Sequence, residues 1–292
     1  MCKFENKAVL LMLFASFVFA IMGGFVKVLS SSMGAMEITF FRNIIGVIFI
    51  VISLYNFPLN QEGGKPYLLL FRGLAGFFSL VAFFYILAFI PLGQAAVYNK
   101  ISPIFVAIFA YLFLKEKLSM YAIVAIIIGF IGVFMVANPQ NFIFSKYDIL
   151  GLISGIGAAL AYTSIRELRV YYETRSITLS FMIVGSIGPV IFMAIAYIFD
   201  ITNDDFLFSR FVMPNENQWY LIAGVGVSAT ISQLLMTKAY SLSKAGIMGA
   251  ISYSNIIFAT IIGIVLGDKL PDFLTILGII LVIISGILVT KK

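Results

Sequence analysis

Ten apolar stretches of about twenty residues, joined by connectors mostly too short to fold on their own, set the limits on what this 292-residue chain can become. They run roughly over 8–29, 35–54, 67–90, 93–114, 119–137, 149–166, 178–199, 218–240, 245–267 and 272–290. A helix needs about 20 residues at 1.5 Å each to cross a hydrocarbon core about 30 Å thick, so each stretch fits one crossing. Only 56–66 and 200–218 are long connectors, and neither has room for a soluble domain. The predicted fold is an all-α integral membrane protein with ten transmembrane helices.

Composition agrees and removes several classes of function. Hydrophobic residues make up 62% of the chain and charged residues 11%, against about 25% charged in soluble domains. The net charge of +6 sits between apolar runs rather than in a basic patch, which argues against nucleic-acid binding. One cysteine, Cys2, permits no internal disulfide, and the absence of histidine removes imidazole proton relays and His-ligated metals. No metal site and no cofactor are expected. The first apolar run follows Lys3 and Lys7 as a signal peptide would, but it is too long for a signal core and begins a series, so it reads as a retained span.

Lysine and arginine give the orientation. With the N-terminus cytoplasmic, the inner segments hold thirteen: Lys3, Lys7, Lys65, Arg72, Lys115, Lys117, Arg166, Arg169, Arg175, Lys238, Lys244, Lys291 and Lys292. The outer side holds four, Lys27, Lys146, Arg210 and Lys269. Cytoplasmic loops carry the positive excess, so both termini are expected inside, with the protein in the inner (plasma) membrane.

The most unusual span is Gly93–Leu118, GQAAVYNKISPIFVAIFAYLFLKEKL. It carries Gln94, Tyr98, Asn99, Lys100 and Ser102 in its first half, then Pro103. A lysine at the centre of a membrane helix costs roughly 2.5–3.5 kcal/mol on insertion scales, so it requires a partner or a wet cavity. Pro103 has no N–H to offer the carbonyl of Asn99, which predicts a break. The pattern returns 152 positions later in AISYSNIIFATIIGIVLGDKL, where Ser254 falls on Ser102, Ala259 on Ala107 and Asp268-Lys269-Leu270 on Glu116-Lys117-Leu118. Ala15–Ala20 similarly overlies Gly155–Ala161. Five spans per unit is an odd number, so the second copy enters the membrane upside down. The expected units are 1–140 and 141–292, two inverted five-helix repeats, and an interrupted polar helix in each half marks a transport site.

Ten spans in two such repeats, ITFFRN at Ile38–Asn43, and LFLKEKLS at Leu112–Ser119 with its echo VLGDKLP at Val265–Pro271 resemble the drug/metabolite transporter superfamily, EamA-type branch. The resemblance covers essentially the whole chain. It implies a helical bundle around a central cavity lined largely by spans 3, 4, 8 and 9, and a small-molecule metabolite as cargo. Pro103 matches a proline common in the family's fourth span; Asn255 stands at the corresponding place in the ninth.

Lys100 and Arg42 each lie about seven residues into a span entering from outside, and both belong to the first repeat. Such a pair suits an anionic or zwitterionic ligand, amino-acid- or cofactor-like. The structural alternatives are that Arg42 bonds helix-end carbonyls or Glu37 and that Lys100 snorkels outward. Gln94, Tyr98 and Ser102 share an arc of roughly 80° on a helical wheel, with Asn99 beside them and Lys100 turned away. Tyr253, Ser254 and Asn255 of the ninth span, Gln233 of the eighth and Tyr162 of the sixth complete the candidate substrate ring; each has interhelical packing as its alternative. Arg166, Glu167 and Arg169 end the sixth span as an interfacial anchor or a cytoplasmic gate.

The first span carries no carboxylate, Glu37 sits near a helix start, and Glu116 and Asp268 lie at helix ends. Carboxylate-based proton antiport is therefore disfavoured, and facilitated diffusion or exchange by alternating access is expected. The competing classes are an integral-membrane enzyme of lipid or isoprenoid metabolism, for which paired aspartates and histidines are missing from the inner loops, and a non-transporting subunit or channel. The lipid bilayer and a small metabolite are the expected partners, with no nucleic acid, and the protein acts as a monomer or homodimer.

Overall fold

The structure is a computed structural model that describes residues 2–59, 61–114, 120–137, 145–201, 206–242, 248 and 251–289. Among the described residues there are eleven helices: α1 (Cys2–Leu29), α2 (Ala35–Asn56), α3 (Pro66–Leu87), α4 (Leu92–Asn99), α5 (Ser102–Leu114), α6 (Met120–Ala137), α7 (Lys146–Leu168), α8 (Thr174–Ile198), α9 (Glu216–Leu242), α10 (Ser254–Val265) and α11 (Phe273–Val289). α4 and α5 are two pieces of one crossing, which gives ten spans.

The break falls at Lys100 and Ile101, where the chain makes two turn residues before Ser102 restarts the helix. Pro103 explains it: the proline cannot donate to the carbonyl four residues back, and α5 is held to α4 through bonds to the Ile101 carbonyl from Ile104 (3.0 Å) and Phe105 (3.4 Å). The ninth span is interrupted at the equivalent place, at Tyr253, although it has no proline. There the Asn255 amide leaves its own helix to donate to the Ser16 carbonyl of α1 at 2.8 Å. The Tyr253 ring lies so close to Gly286 of α11 that a Cβ at 286 would overlap it.

α7 begins at a capping box. The Ser145 side chain accepts from the Asp148 N–H, and the Asp148 carboxylate accepts from the Ser145 N–H at 2.8 Å. Farther along α7, Gly151 and Gly155 let α4 approach: a Cβ at 151 would run into the Tyr98 ring, and one at 155 into Ile101. This small-xxx-small spacing replaces the hydrophobic effect, which has no purchase between helices in lipid, with close backbone packing.

The helix pairings obey an approximate two-fold rule. Exchanging the first five spans for the second five turns α1 on α9 into α7 on α3, α3 on α8 into α9 on α2, and α1 on α10 into α7 on α4 and α5; α2 on α8 and α6 on α11 map onto themselves. The fold is thus two inverted five-helix repeats that interlock. Most of the extensive pairings cross from one repeat to the other, so the two repeats pack against each other rather than side by side as separate bundles.

Candidate functional site

At the middle of the bundle two arginines share one aromatic ring. The guanidinium carbon of Arg42 on α2 lies 5.1 Å from the centroid of Phe181 on α8, and that of Arg72 on α3 lies 4.6 Å from it. Both arginines are almost fully buried, at 1% and 2% exposed. Gly76, one turn after Arg72, leaves the space: a Cβ there would stand 2.7 Å from the Arg72 guanidinium and 2.8 Å from Phe181. The Arg42 Nη1 donates to the Asn43 carboxamide oxygen at 2.7 Å, while the Nε of each arginine has no hydrogen-bond partner. Cation–π attraction of roughly 0.5–2 kcal/mol per pair offsets only part of the cost of burying two like charges.

These groups border a cavity of about 40 Å³, lined also by Phe19, Ser79, Leu80, Phe83, Asn99, Ala158, Ala161, Tyr162 and Gln233. That is room for a water molecule or two, well short of the roughly 300 Å³ that a small-molecule site occupies. Among the described residues no carboxylate lines it. Tyr162 interacts electrostatically with both arginines, and the Gln233 amide nitrogen is buried without a partner. Toward the N-terminal end of α1 and the C-terminal end of α9, Met12, Ala15, Met236 and Ala239 form an apolar cluster against which Tyr162 also packs.

The sequence-predicted residues divide. Arg42, Asn99, Tyr162 and Gln233 meet at the cavity. Lys100 is buried at 7% exposed, so it neither snorkels nor faces lipid; its ammonium lies 5.9 Å from the ring of Phe19, a wall of the same cavity. Tyr98 turns away and donates to Asp148 at the head of α7. Gln94 borders a second pocket of about 350 Å³ with Thr260, Asp268, Lys269 and Thr275. Ser102 is buried at 2% exposed and outside the cavity wall. Tyr253, Ser254 and Asn255 are also absent from that wall, because the break that exposes them is filled by α1 and α11. Among the described residues, spans 1, 2, 3, 4, 6, 7 and 8 line the cavity, a wider set than the resemblance implied and without span 9.

The expectation that Arg72 belongs to the inner positive excess is corrected: it is an interior residue paired with Arg42 around Phe181. Its position near the start of the third span gives it the look of a topology signal, and the glycine four residues on is the one local hint.

Each face of the bundle carries a polar tie. On one, Lys27 at the end of α1 pairs with Asp268 at 2.6 Å and donates to the Ile90 carbonyl at 3.0 Å, while Asp268 accepts the Leu92 N–H at 2.8 Å. On the other, Glu167 pairs with Lys65, and Lys65 lies 5.5 Å from the Tyr171 ring. The Glu167 bond holds the Lys65 ammonium above its ordinary pKa. The loop carrying Lys65 turns through Gly63 at φ +74° and Gly64 at φ +136°, the latter open only to glycine, and the Gly63 N–H donates to the Tyr171 carbonyl at 3.0 Å. Arg175 joins Glu173 at 2.9 Å and the Phe57 carbonyl at 2.7 Å. Arg169 is exposed, and the side chain of Arg166 lies outside the described residues, as do Glu116 and Lys117. Among the described residues no three His, Cys, Asp or Glu side chains gather as a metal site.

Comparison with known proteins accounts for this architecture. The chain is 31% identical over 290 residues to the pseudopaline exporter CntI of Pseudomonas aeruginosa strain UCBPP-PA14, covering 98% of this chain and 96% of that protein. It is 23% identical over 259 residues to the S-adenosylmethionine uptake transporter of Rickettsia prowazekii, covering 88% and 83%. A solved crystal structure superposes with a TM-score of 0.60 at 17% identity, over 98% of this chain and 95% of that one, and shares the fold. The sequence profile of the EamA-like transporter family matches twice, over residues 6–138 and 145–291. With inverted repeats, interrupted spans and a polar interior chamber already in view, the chain belongs to the EamA-like transporter family.

Proposed function

We propose that this transporter carries a small polar metabolite bearing an anionic group, anionic or zwitterionic and amino-acid- or cofactor-like, across the inner membrane by alternating access. The observation that carries the reading is the Arg42–Arg72 pair around Phe181, beside a cavity wall without a carboxylate. Two guanidiniums in a low-dielectric interior attract an oxyanion far more strongly than in water and present forked donors to it. Tyr162, Asn99 and Gln233 extend the polar wall, and the Lys100 ammonium lies near Phe19, one of its apolar members. With no acid among the described lining residues to trade a proton, facilitated diffusion or exchange suits the site better than carboxylate-based antiport. Both termini are cytoplasmic in this reading, and the repeats divide near residue 140. The ties at Lys27–Asp268 and Lys65–Glu167 serve as the two gates, in place of a gate built from Arg166, Glu167 and Arg169 alone.

A thermal-shift screen against amino acids, nucleotides and cofactors identifies ligands, since a compound that binds the native state raises its apparent stability. Counterflow of the best ligand in proteoliposomes then compares wild type with Arg72→Gln and Arg42→Gln, which keep hydrogen-bonding capacity and lose the charge. Each variant should lower uptake at least tenfold with normal insertion. Wild-type uptake in both would remove the arginines from the site.

A further inference from the structure

α8 contains Pro189 in its interior, so the carbonyl of Gly185, four residues earlier, lacks its usual helical donor. That carbonyl is answered from another helix: the Asn43 amide of α2 donates to it at 3.1 Å, and to its own Thr39 carbonyl at 2.8 Å. The other end of the same carboxamide accepts from Arg42 at 2.7 Å. Asn43 is fully buried, and a Cβ at Gly185 would overlap its amide nitrogen, so only glycine lets the two helices meet there. All three of these contacts are made by one planar group whose two ends cannot move independently.

We propose that Asn43 is a positioning residue that ties the aim of Arg42 to the bend of α8 at Pro189. The carboxamide reads the proline-freed carbonyl on one side and holds the guanidinium on the other. A change in the α8 bend turns the amide and so redirects Arg42 in the chamber, and an anion engaging Arg42 acts back on the bend. α8 packs on both α2 and α3, so the tie joins both arginine-bearing helices to one hinge. The inference rests on reading Arg42 as a ligand-facing group.

The test uses the full-length protein without ligand. Phenylglyoxal modifies guanidiniums, and the ratio of Arg42 to Arg72 modification, read by mass spectrometry, cancels any general opening because both line one cavity. Asn43→Ala should raise the ratio about fivefold, the value of one hydrogen bond. Pro189→Ala should also shift the ratio, although it touches neither arginine, because the substituted alanine supplies the missing N–H and Asn43 loses its anchor on α8. In melting temperature, Asn43→Ala should cost clearly less in the Pro189→Ala background than alone. A purely structural asparagine would lower stability and leave the ratio unchanged. Should Asn43→Ala fail to fold, Gly185→Ala displaces the same amide with Arg42 and Asn43 intact and should shift the ratio in its place. An unchanged ratio in Pro189→Ala, or additive melting losses, overturns the proposal. Counterflow by Arg42→Gln is a separate measurement, so a substrate site lying elsewhere is distinguished from a failed tie.

Discussion

Replacing Lys27 by methionine should open the face of the bundle that carries it. The ammonium and the Asp268 carboxylate are 2.6 Å apart, with side chains only 21% and 12% exposed, so the pair lies between two known limits. Exposed pairs contribute about 0–1 kcal/mol, and breaking a buried pair costs about 3–5 kcal/mol because one charge is stranded. Asp268 would keep the Leu92 N–H at 2.8 Å, which spares it the full penalty. The loss should therefore be about 1.5–3 kcal/mol, the range of a hydrogen bond to a charged group. At 1.4 kcal/mol per factor of ten, opening on that face becomes roughly ten- to hundredfold more populated. In a Cys2→Ser background, Ala158→Cys places a thiol on the chamber wall, and a membrane-impermeant maleimide added on the Lys27 side reads the opening. Labelling should accelerate by that factor, and adding Asp268→Asn should accelerate it little further, since both changes break one contact. An unchanged rate would refute the assignment of Lys27–Asp268 as a gate.

Tyr98→Phe should lower the unfolding free energy by about 1–3 kcal/mol through loss of the bond to Asp148, while the KM for the screened ligand stays at the wild-type value; a raised KM would return Tyr98 to the chamber. Gly286→Ala should destabilise by about 1–3 kcal/mol, seen in thermal unfolding, since its Cβ would overlap the Tyr253 ring. Hydrogen bonds from Thr275, first from its side chain and then from its N–H at 2.8 Å, hold the Asp272 carboxyl below the ordinary value of 3.8. Its stabilisation of α11 is thus present above about pH 4 and disappears as the pH falls through the depressed value; in acid titrations of thermal stability, Asp272→Asn should flatten the profile in that window, lowering stability near neutrality and converging on the wild type at the acid end.

How far the residues announce the fold depends on whether the cause is local. The break after Lys100 is legible because Pro103 writes it into the backbone, and the capping box at Ser145 and Asp148 is there to be read as S-x-x-D. The break at Tyr253 is legible only through the repeat, because no neighbouring proline forces it and the groups it meets, Ser16 and Gly286, lie 237 and 33 positions away. Helical spacing places Gln94, Tyr98 and Ser102 on a common arc but cannot say what each will meet; Asp148 takes the tyrosine, and the 350 Å³ pocket takes the glutamine. Arg72 shows the converse error. A cation near a span's start is usually an anchor, and only the arrival of Phe181 from the other repeat makes it half of a pair.

The two interruptions, alike in position, differ in what maintains them. In the first repeat the cause is covalent, since a pyrrolidine ring at residue 103 can never supply the missing donor whatever the neighbours do. In the second it depends on company: α1 must offer the Ser16 carbonyl to Asn255, and α11 must leave a glycine under Tyr253. One elbow is therefore permanent and the other conditional, so a displacement of α1 can mend the second elbow while the first stays broken, and a nominally symmetric machine acquires a stiff arm and a compliant one.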